Sequence, residues 1–348
     1  MRDELGAVLA GFGVEDAIVE AVRLAGGHIH GTWRITTAGG ERFVAQALND
    51  RVFPDLDACE RNLRRIDDHL RDNPAIGVPR FRRSRGLVHW VGASGTTWRL
   101  TEFAEGTIGG SACRDAMQAY EAASAFGRYV RALATLPLPP LAVTIPHFHD
   151  LAKRVAQLDA AIDADSAGRV SGAAGDIASA RCLIDTVGRS RTLVAALPVR
   201  HVHNDAKVAN LRFDEATGRA VFVVDLDTTM PGTLLFDVGE LLRTASTASA
   251  EDDPDGQSVD DARIAAVVRG FLDGAGPLVT TAERAGFSLA GPLMALENAV
   301  RFLADHLNGD RYFAIERDGH NIDRARAQLS VCALLLDSAD LVDRACAG

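Results

Sequence analysis

The sequence predicts an α+β fold of two lobes, a small antiparallel sheet with one helix followed by a larger, mainly helical lobe. Within the first hundred residues, short strand-like runs alternate with glycine-containing turns, whereas helix-periodic apolar patterns dominate after Gly106. A chain of 348 residues suits one large two-lobed unit or two intimate domains. We therefore predict an amino-terminal lobe over residues 1–105 and a carboxyl-terminal lobe over residues 106–348.

The predicted amino-terminal lobe contains four strand-like runs and one helix. Turns at residues 38–40 and 92–95 separate the runs into two pairs, which favours antiparallel pairing. Between the pairs, apolar residues recur near helical spacing and predict a helix that packs on the sheet. The strands are expected at residues 32–36, 41–48, 86–91 and 96–103, and the helix at residues 56–70.

The carboxyl-terminal part reads as helices interrupted by one hairpin. The apolar set Phe126, Tyr129, Val130 and Leu133 follows the spacing of an amphipathic helix, and the proline-rich residues 136–140 end it. The hairpin is expected at residues 211–226, around a turn at residues 214–218. Further helices are expected at residues 150–195, with an exposed loop at 165–175, and at residues 236–242, 262–272 and 297–307.

Charge and composition exclude several classes of function. The net charge of -10 and the pI near 5.5 argue against a nucleic-acid groove as the main function. Neither a secretory signal nor an apolar run long enough to cross a membrane is visible. The five cysteines are scattered without metal-ligand spacing, which favours reduced thiols in the cytoplasm. We expect a cytoplasmic protein without nucleic-acid or membrane partners.

One polar constellation carries the chemistry. Asp205 and Asn210 lie in a short loop before the hairpin, and Asp225 ends its second, strongly apolar strand. Phosphoryl transfer needs a carboxylate that orients the attacking hydroxyl and oxygen ligands that hold magnesium on the phosphates. Asp205 fits the first need, whereas Asn210 and Asp225 fit the second. The structural alternative makes the loop residues turn formers and Asp225 a helix cap.

Here the sequence resembles the aminoglycoside phosphotransferase and choline kinase superfamily, and more closely the N-acetylhexosamine 1-kinase family. The resemblance rests on residues 203–210 (His-Asn-Asp-Ala-Lys-Val-Ala-Asn), 225–232 (Asp-Leu-Asp-Thr-Thr-Met-Pro-Gly) and 301–313 (Arg-Phe-Leu-Ala-Asp-His-Leu-Asn-Gly-Asp-Arg-Tyr-Phe). It extends to residues 46–53 (Gln-Ala-Leu-Asn-Asp-Arg-Val-Phe) and 125–127 (Ala-Phe-Gly). Matching blocks thus span about residues 26–320.

This resemblance implies the bilobal protein-kinase-like fold, with ATP and Mg²⁺ as cofactors. It makes Asp205 the catalytic base, Asn210 and Asp225 the magnesium ligands, and the segment around Phe103 the adenine-binding hinge. The glycine-containing loop of residues 26–31 resembles a loop whose backbone approaches phosphates, although such loops are often plain turns. The predicted nucleotide-binding residues are His30, Thr32, Gln46, Glu102, Phe103 and Lys207.

The sequence departs from protein kinases at one position. Gln46 stands on the third strand where protein kinases place a lysine that pairs the phosphates. The resemblance makes this substitution a family trait, and an inactive, nucleotide-binding pseudokinase is the alternative. Without that lysine, Glu60 is as readily a solvated helix residue as an ion-pair partner. His201 and His203 more often support such a loop by hydrogen bonds than act as bases.

The predicted acceptor-binding residues are Asp227, Arg301 and Tyr312. Asp227 is equally consistent with a structural role, and Arg301 with ion pairs to Glu297 or Asp305. The leading hypothesis is ATP-dependent phosphorylation of the anomeric hydroxyl of an N-acetylhexosamine or related amino sugar. The alternative acceptor is an aminoglycoside, a choline-like amine or another hydroxylated metabolite.

Overall fold

The computed structural model describes residues 1–24, 30–50, 52–110, 112–188, 190–247 and 249–348, with the backbone alone at residues 190 and 191. The α+β architecture follows the sequence prediction, with the sheet near the amino terminus and most helices after it. The predicted division at residue 105 stays a prediction.

A five-stranded antiparallel sheet forms the amino-terminal region. Its spatial order is β1-β2-β3-β5-β4. The register places Gln46 of β3 between Thr32 of β2 and Arg99 of β5, so these three side chains lie side by side. The strands are β1 (Ile18–Arg23), β2 (Gly31–Thr37), β3 (Arg42–Ala47), β4 (His89–Val91) and β5 (Thr97–Glu102).

Two helices accompany this sheet, which corrects the prediction of one. Helix α1 (Arg2–Gly11) buries Leu5, Val8 and Leu9, and with Phe12 after its end they form a stripe against the sheet. Sequence analysis missed α1 because its apolar run is short. The predicted helix α2 (Leu56–Leu70) begins at its cap Asp55, yet its buried apolar residues join the core of the carboxyl-terminal part instead of the α1 cluster.

The carboxyl-terminal part is mainly helical, as predicted. Its helices are α3 (Ala116–Leu133), α4 (Leu151–Ala164), α5 (Ala174–Val187), α6 (Ser190–Ala196), α7 (Leu234–Ala245), α8 (Asp261–Ala275), α9 (Thr281–Ala285), α10 (Phe287–Leu307), α11 (His320–Asp337) and α12 (Ala339–Ala347). Strands β6 (Thr107–Ile108), β8 (Leu211–Asp214) and β9 (Ala220–Val223) form one small sheet, and β7 (Arg200–Val202) pairs with β10 (Met230–Gly232).

Most predicted elements are confirmed with shifted ends. The predicted loop around residue 170 separates α4 from α5, and the hairpin is β8 and β9. Strand β9 stops at Val223 rather than at Leu226, because residues 226–228 turn into a 3₁₀-helix directly after Asp225. Strand β4 begins only at His89. Helix α10 is much longer than predicted and contains Pro292.

The segment of residues 136–144, here called the strap, runs from the end of α3 across α2. Arg65 of α2 donates hydrogen bonds to the carbonyl oxygens of Pro137, Pro139 and Pro140. The side-chain amide of Asn62 donates to the carbonyl oxygen of Ala142 at 2.8 Å and accepts from its N–H at 2.9 Å. The strap therefore ties α2 to the larger helical part.

A search of the described residues found no helix with both the length and the apolar character needed to cross a membrane.

Candidate active site

Asp205 lies in the loop between β7 and a 3₁₀-turn at residues 208–210. The carboxylate of Asp237, on α7, accepts hydrogen bonds from the backbone N–H groups of His203 at 2.9 Å and Asn204 at 2.7 Å. Asn204 has a φ of 63°, in the left-handed region, and its side-chain amide donates to the carbonyl oxygen of Thr228 at 2.9 Å. These contacts fix the backbone immediately before Asp205.

The His203 ring supports the loop in the way that the sequence analysis favours. Its Nε2 lies 3.0 Å from the carbonyl oxygen of Val224, and its Nδ1 accepts from the N–H of Asp205 at 3.3 Å. Because Val224 precedes Asp225, one imidazole joins the loop of Asp205 to the strand end that presents Asp225.

The carboxylate of Asp205 is oriented by two neighbours. Lys207 Nζ lies 2.9 Å from Oδ2, and Asn210 Nδ2 donates to the same oxygen at 2.9 Å. Burial raises the pKa of Asp205, but the charge of Lys207 and these hydrogen bonds outweigh it, so the pKa lies below its usual value. About 23% of the side chain remains exposed. Asp205 is thus ionised, held in one orientation and accessible from solvent.

Asp225 follows β9 with a φ of 60°, also in the left-handed region. Among the described residues, its carboxylate has no hydrogen-bond partner. Burial and the charges of Asp227 and Asp205 raise the pKa of Asp225. A divalent cation beside this carboxylate would relieve that repulsion, so the donor set fits a cation.

Magnesium is the cation that the donor chemistry fits best. Asn210 and Asp225 are brought together by the hydrogen bond from the N–H of Val224 to the carbonyl oxygen of Asn210, at 2.9 Å. Within the described residues, no group of three or more His, Cys, Asp or Glu side chains is placed to hold a metal ion. One or two carboxylates and an amide oxygen suit magnesium, which takes its other ligands from water and phosphates. Their roles as ligands stay a prediction.

Asp227 is buried and already paired. Arg99 of β5 donates to it through Nη1 at 2.6 Å and Nη2 at 2.7 Å, and His30 Nε2 lies 3.3 Å from Oδ2. Burial raises the pKa of Asp227, but Arg99 and His30 together hold it well below its usual range. These contacts match the structural alternative for Asp227 more closely than contact with an acceptor.

Three of the predicted nucleotide-binding residues belong to the same network. Gln46 Oε1 accepts from Arg99 at 3.0 and 2.8 Å, and Gln46 Nε2 donates to Thr32 Oγ1 at 3.4 Å. His30 stacks on Phe53, with ring centroids 5.5 Å apart. Residues 26–29 of the loop predicted to approach phosphates, residues 26–31, lie outside the described residues, and only its end at His30 and Gly31 is described.

The predicted hinge follows β5. The N–H of Phe103 donates to the carbonyl oxygen of Arg42 at 3.0 Å, and the guanidinium of Arg42 stacks 4.8 Å from the Phe103 ring centroid. Glu102 is largely exposed, with Arg82 3.9 Å away. The hinge roles of Glu102 and Phe103 stay predictions.

On the acceptor side, the ion pairs that offered a structural role for Arg301 do not form. Asp305 instead accepts from the backbone N–H groups of residues 311–313, and Glu297 faces His149. Arg301 stacks on Phe313 at 5.2 Å and has no salt-bridge partner in the part of the chain that the structure describes. Tyr312 is 68% exposed on the loop after α10.

Sequence analysis missed His149, a buried neighbour of the catalytic loop. Its Nε2 donates to the carbonyl oxygen of Asn204 at 2.7 Å, and its Nδ1 lies 3.3 Å from both carboxylate oxygens of Glu297. Burial lowers the pKa of His149, but the charge of Glu297 and these hydrogen bonds raise it above its usual value. His149 therefore holds the residue next to Asp205. No spacing signal in the sequence connects residues 149 and 204.

Glu60 is not solvated, although the sequence allowed that interpretation as readily as an ion pair. It is buried, accepts from the N–H of Val88 at 3.4 Å and lies 3.3 Å from Arg64 Nε.

A protein-family model described as the phosphotransferase enzyme family, APH, matches residues 20–279. That range is most of the chain and contains the loop of Asp205 and the strand end of Asp225. The chain belongs to this phosphotransferase family. It is therefore a member of a family of small-molecule phosphotransferases, and the resemblance to the aminoglycoside phosphotransferase and choline kinase superfamily is confirmed at that level. The closer likeness to the N-acetylhexosamine 1-kinases stays a prediction.

Solved structures of other phosphotransferases share the fold. A spectinomycin phosphotransferase, APH(9)-Ia, in complex with ADP and spectinomycin, has a TM-score of 0.64 at 12% identity, covering 96% of this chain and 98% of its own. Amicoumacin kinase hAmiN, with AMP-PNP, Ca²⁺ and Ami, has 0.58 at 12% identity, covering 90% and 88%. Choline kinase LicA from Streptococcus pneumoniae has 0.56 at 10% identity, covering 96% and 99%. The predicted protein-kinase-like fold is confirmed for this phosphotransferase.

Proposed function

We propose that this phosphotransferase transfers the γ-phosphoryl group of Mg·ATP to the anomeric hydroxyl of an N-acetylhexosamine or related amino sugar. The products are the sugar 1-phosphate and ADP. Asp205 orients the hydroxyl and receives its proton, while Asn210 and Asp225 hold magnesium on the phosphates. Magnesium supplies charge neutralisation at the transferred group when it is bound.

The single observation that carries the proposed reaction is the placement of Asp205 and Asp225. Asp205 is ionised, oriented by Lys207 and Asn210 and partly exposed to solvent. The other has a raised pKa and no hydrogen-bond partner among the described residues. An inactive nucleotide-binding protein would need neither arrangement, so the constellation favours an active kinase over the pseudokinase alternative.

The charges near the acceptor side favour a neutral sugar over a polycation. Glu297 is engaged by His149, and Asp305 by backbone N–H groups, so neither carboxylate is available to bind an ammonium group. Arg301 and Arg154 lie close enough for Arg301 to lower the pKa of Arg154, after burial, which is the larger cause. An uncharged acetamido sugar offers hydroxyl and carbonyl oxygens to such cations.

A panel of acceptors incubated with Mg·ATP tests this proposal. We expect ADP release that requires N-acetylglucosamine or N-acetylgalactosamine and Mg²⁺, with carbon and phosphorus NMR placing the phosphate on the anomeric carbon. Aminoglycosides, choline and ethanolamine are the alternative acceptors in the same panel. Turnover with one of these amines, and none with the sugars, would replace the sugar by a cationic acceptor.

A further inference from the structure

Strand β3 has no lysine, but the neighbouring strand β5 carries a buried arginine, Arg99. The side chain of Gln46 is oriented by that arginine, because its Oε1 accepts from Arg99 Nε at 3.0 Å and from Nη2 at 2.8 Å. Its amide nitrogen faces Thr32. Gln46 therefore contributes no charge of its own and instead serves as an acceptor for Arg99.

Arg99 also donates to Asp227, through Nη1 and Nη2. The two hydrogen bonds, at 2.6 and 2.7 Å, form the parallel fork that a guanidinium makes with a carboxylate. Arg99 is 2% exposed and Asp227 is 4% exposed, so water screens this pair little. The pair joins the sheet to a residue of the catalytic half of the chain.

Asp227 lies in the short 3₁₀-turn that begins immediately after Asp225. Because Asp225 has a left-handed backbone conformation, the direction of its carboxylate depends on how that turn is held. The turn is held from two sides, by Arg99 on the Asp227 carboxylate and by Thr144 Oγ1, which donates to the carbonyl oxygen of Asp227 at 2.9 Å. His30 is the further contact of the carboxylate.

We propose that Arg99 is a positioning residue for metal-nucleotide binding, which holds the Asp225 turn through Asp227 and supplies the positive charge that Gln46 lacks. This inference rests on the proposed function, because it concerns the same Mg·ATP site. Asp227, with a side chain 3% exposed, is more deeply buried than Asp205, and Arg99 neutralises it. Asp225 is then free to serve the cation instead of competing with Asp227 for neutralisation.

Binding of Mg·AMP-PNP, measured by calorimetry over a range of free Mg²⁺, tests the proposal without requiring an acceptor. We expect Arg99→Gln and Asp227→Asn each to weaken binding by about 10- to 100-fold and to raise the Mg²⁺ concentration at half-saturation, as loss of a residue that orients a metal ligand does. Arg34→Gln, on β2 with a surface partner, is the matched control and should bind as the wild type does.

Moving the positive charge from residue 99 to residue 46 tests whether Arg99 acts through its charge or only through packing. The double variant Arg99→Gln with Gln46→Lys puts a positive charge on the residue that contacts Arg99, and we expect at least part of the lost affinity to return. Wild-type affinity and Mg²⁺ dependence in both folded single variants would overturn the role of Arg99 and leave the proposed kinase intact. If Arg99→Gln does not fold, the nearly isosteric Asp227→Asn decides by the same measurement. A wild-type protein that binds no Mg·AMP-PNP would overturn both proposals.

Discussion

At the scale of single residues, the carboxylate of Asp205 differs from its neighbours in being ionised, oriented and partly exposed at once. A carboxylate whose pKa lies below the usual range is a weak base in water. Its role in the transfer is to align the hydroxyl and to accept the proton late. We predict that Asp205→Asn lowers the maximal rate by roughly 10²-fold or more. Nucleotide affinity should remain nearly unchanged.

Rapid quench with a single turnover measures that chemical step directly. The exposed Asp163→Asn on α4 is the matched control, because it removes one carboxylate far from any described contact of the site. Near-normal turnover in Asp205→Asn would remove Asp205 from the role of base.

The second residue-scale prediction concerns Asp225. Asp225→Asn removes the negative charge that would bind the cation. Mg²⁺-dependent nucleotide binding should therefore weaken, and transfer should nearly cease. Asn210→Ala should act in the same direction but more mildly, since it loses a neutral oxygen and two hydrogen bonds to Asp205. Titration of activity with Mg²⁺ provides the measurement, and an unchanged Mg²⁺ requirement in Asp225→Asn would contradict the assignment.

The third concerns Arg301, whose expected structural partners are both engaged elsewhere. A guanidinium presents several fixed donors, and an acceptor misplaced by about 1 Å can cost roughly 10²-fold in rate. Arg301→Ala should therefore lower turnover and raise KM for the sugar while affinity for ATP stays within a few fold. Tyr312→Phe should show a weaker version, and the exposed Arg181→Ala is the control. A normal sugar KM with lowered thermal stability would leave Arg301 only its packing on Phe313.

The candidate site could be predicted from the sequence where its residues lie close together along the chain. Asp205 and Asn210 share one loop, and the apolar strand before Asp225 marks that carboxylate as unusual. Arg99, His149 and Asp237 were not predictable, because each reaches the site from a different element and no local spacing connects it to the loop. Their partners depend on tertiary packing, which one sequence does not encode locally.

At the scale of elements, α3 and α8 approach each other closely through glycines. A Cβ on Gly127 would lie 2.6 Å from the carbonyl oxygen of Phe271 and 2.7 Å from the nitrogen of Ala275, both backbone atoms that cannot move aside. Gly270 and Gly274 meet the backbone of α3 in the same way. Small residues here let the backbones of α3 and α8 come into contact. Helix α3 in turn packs against β7 and β9.

We predict that Gly127→Ala lowers the free energy of unfolding by about 1–3 kcal/mol, because the strain of overpacking exceeds the gain in helix propensity. Gly6→Ala, in α1, is the matched control, since a Cβ there meets nothing within 4 Å. It should be neutral or stabilising by up to about 1 kcal/mol. Urea denaturation of both variants compares them, and equal stabilities would show that α3 and α8 can separate without cost.

Elements were predictable where their apolar period was long and uninterrupted. Helix α2 was predicted with its full length, whereas α10 was recognised only over its last three turns because Pro292 and the preceding glycines break the pattern. Strand β1 escaped prediction because nearly all of its side chains are exposed, so it lacks the alternation of a half-buried strand. Its pairing with β2 is a matter of backbone hydrogen bonds.

At the scale of the whole molecule, the two lobes are connected by contacts that sequence analysis did not foresee. The strap lies across α2, and its last residue, Thr144, donates to the carbonyl oxygen of Asp227. The strap thus links α2 to the same turn that Arg99 holds from the sheet. We therefore expect the position of α2 and the geometry of the turn after Asp225 to be coupled through this segment.

Asn62 is the residue through which this coupling is best tested. Its amide is 3% exposed and satisfies both the carbonyl oxygen and the N–H of Ala142. Asn62→Ala leaves both backbone groups without that partner, so the free energy of unfolding should fall by about 2 kcal/mol. Asn73→Ala is the control, because its amide accepts one bond in an exposed turn of the same lobe and its loss should cost within about 0.5 kcal/mol.

The coupling predicts a second effect of Asn62→Ala, on a site that Asn62 does not touch. If the strap sets the lobe spacing, its loosening releases Thr144 from Asp227, and Mg·AMP-PNP should bind a few fold more weakly. Calorimetry of the folded variant, well below its unfolding transition, separates this effect from simple destabilisation. A loss of stability with wild-type nucleotide affinity would mean that the strap stabilises the fold without positioning the turn after Asp225. The orientation of that turn would then depend on Arg99.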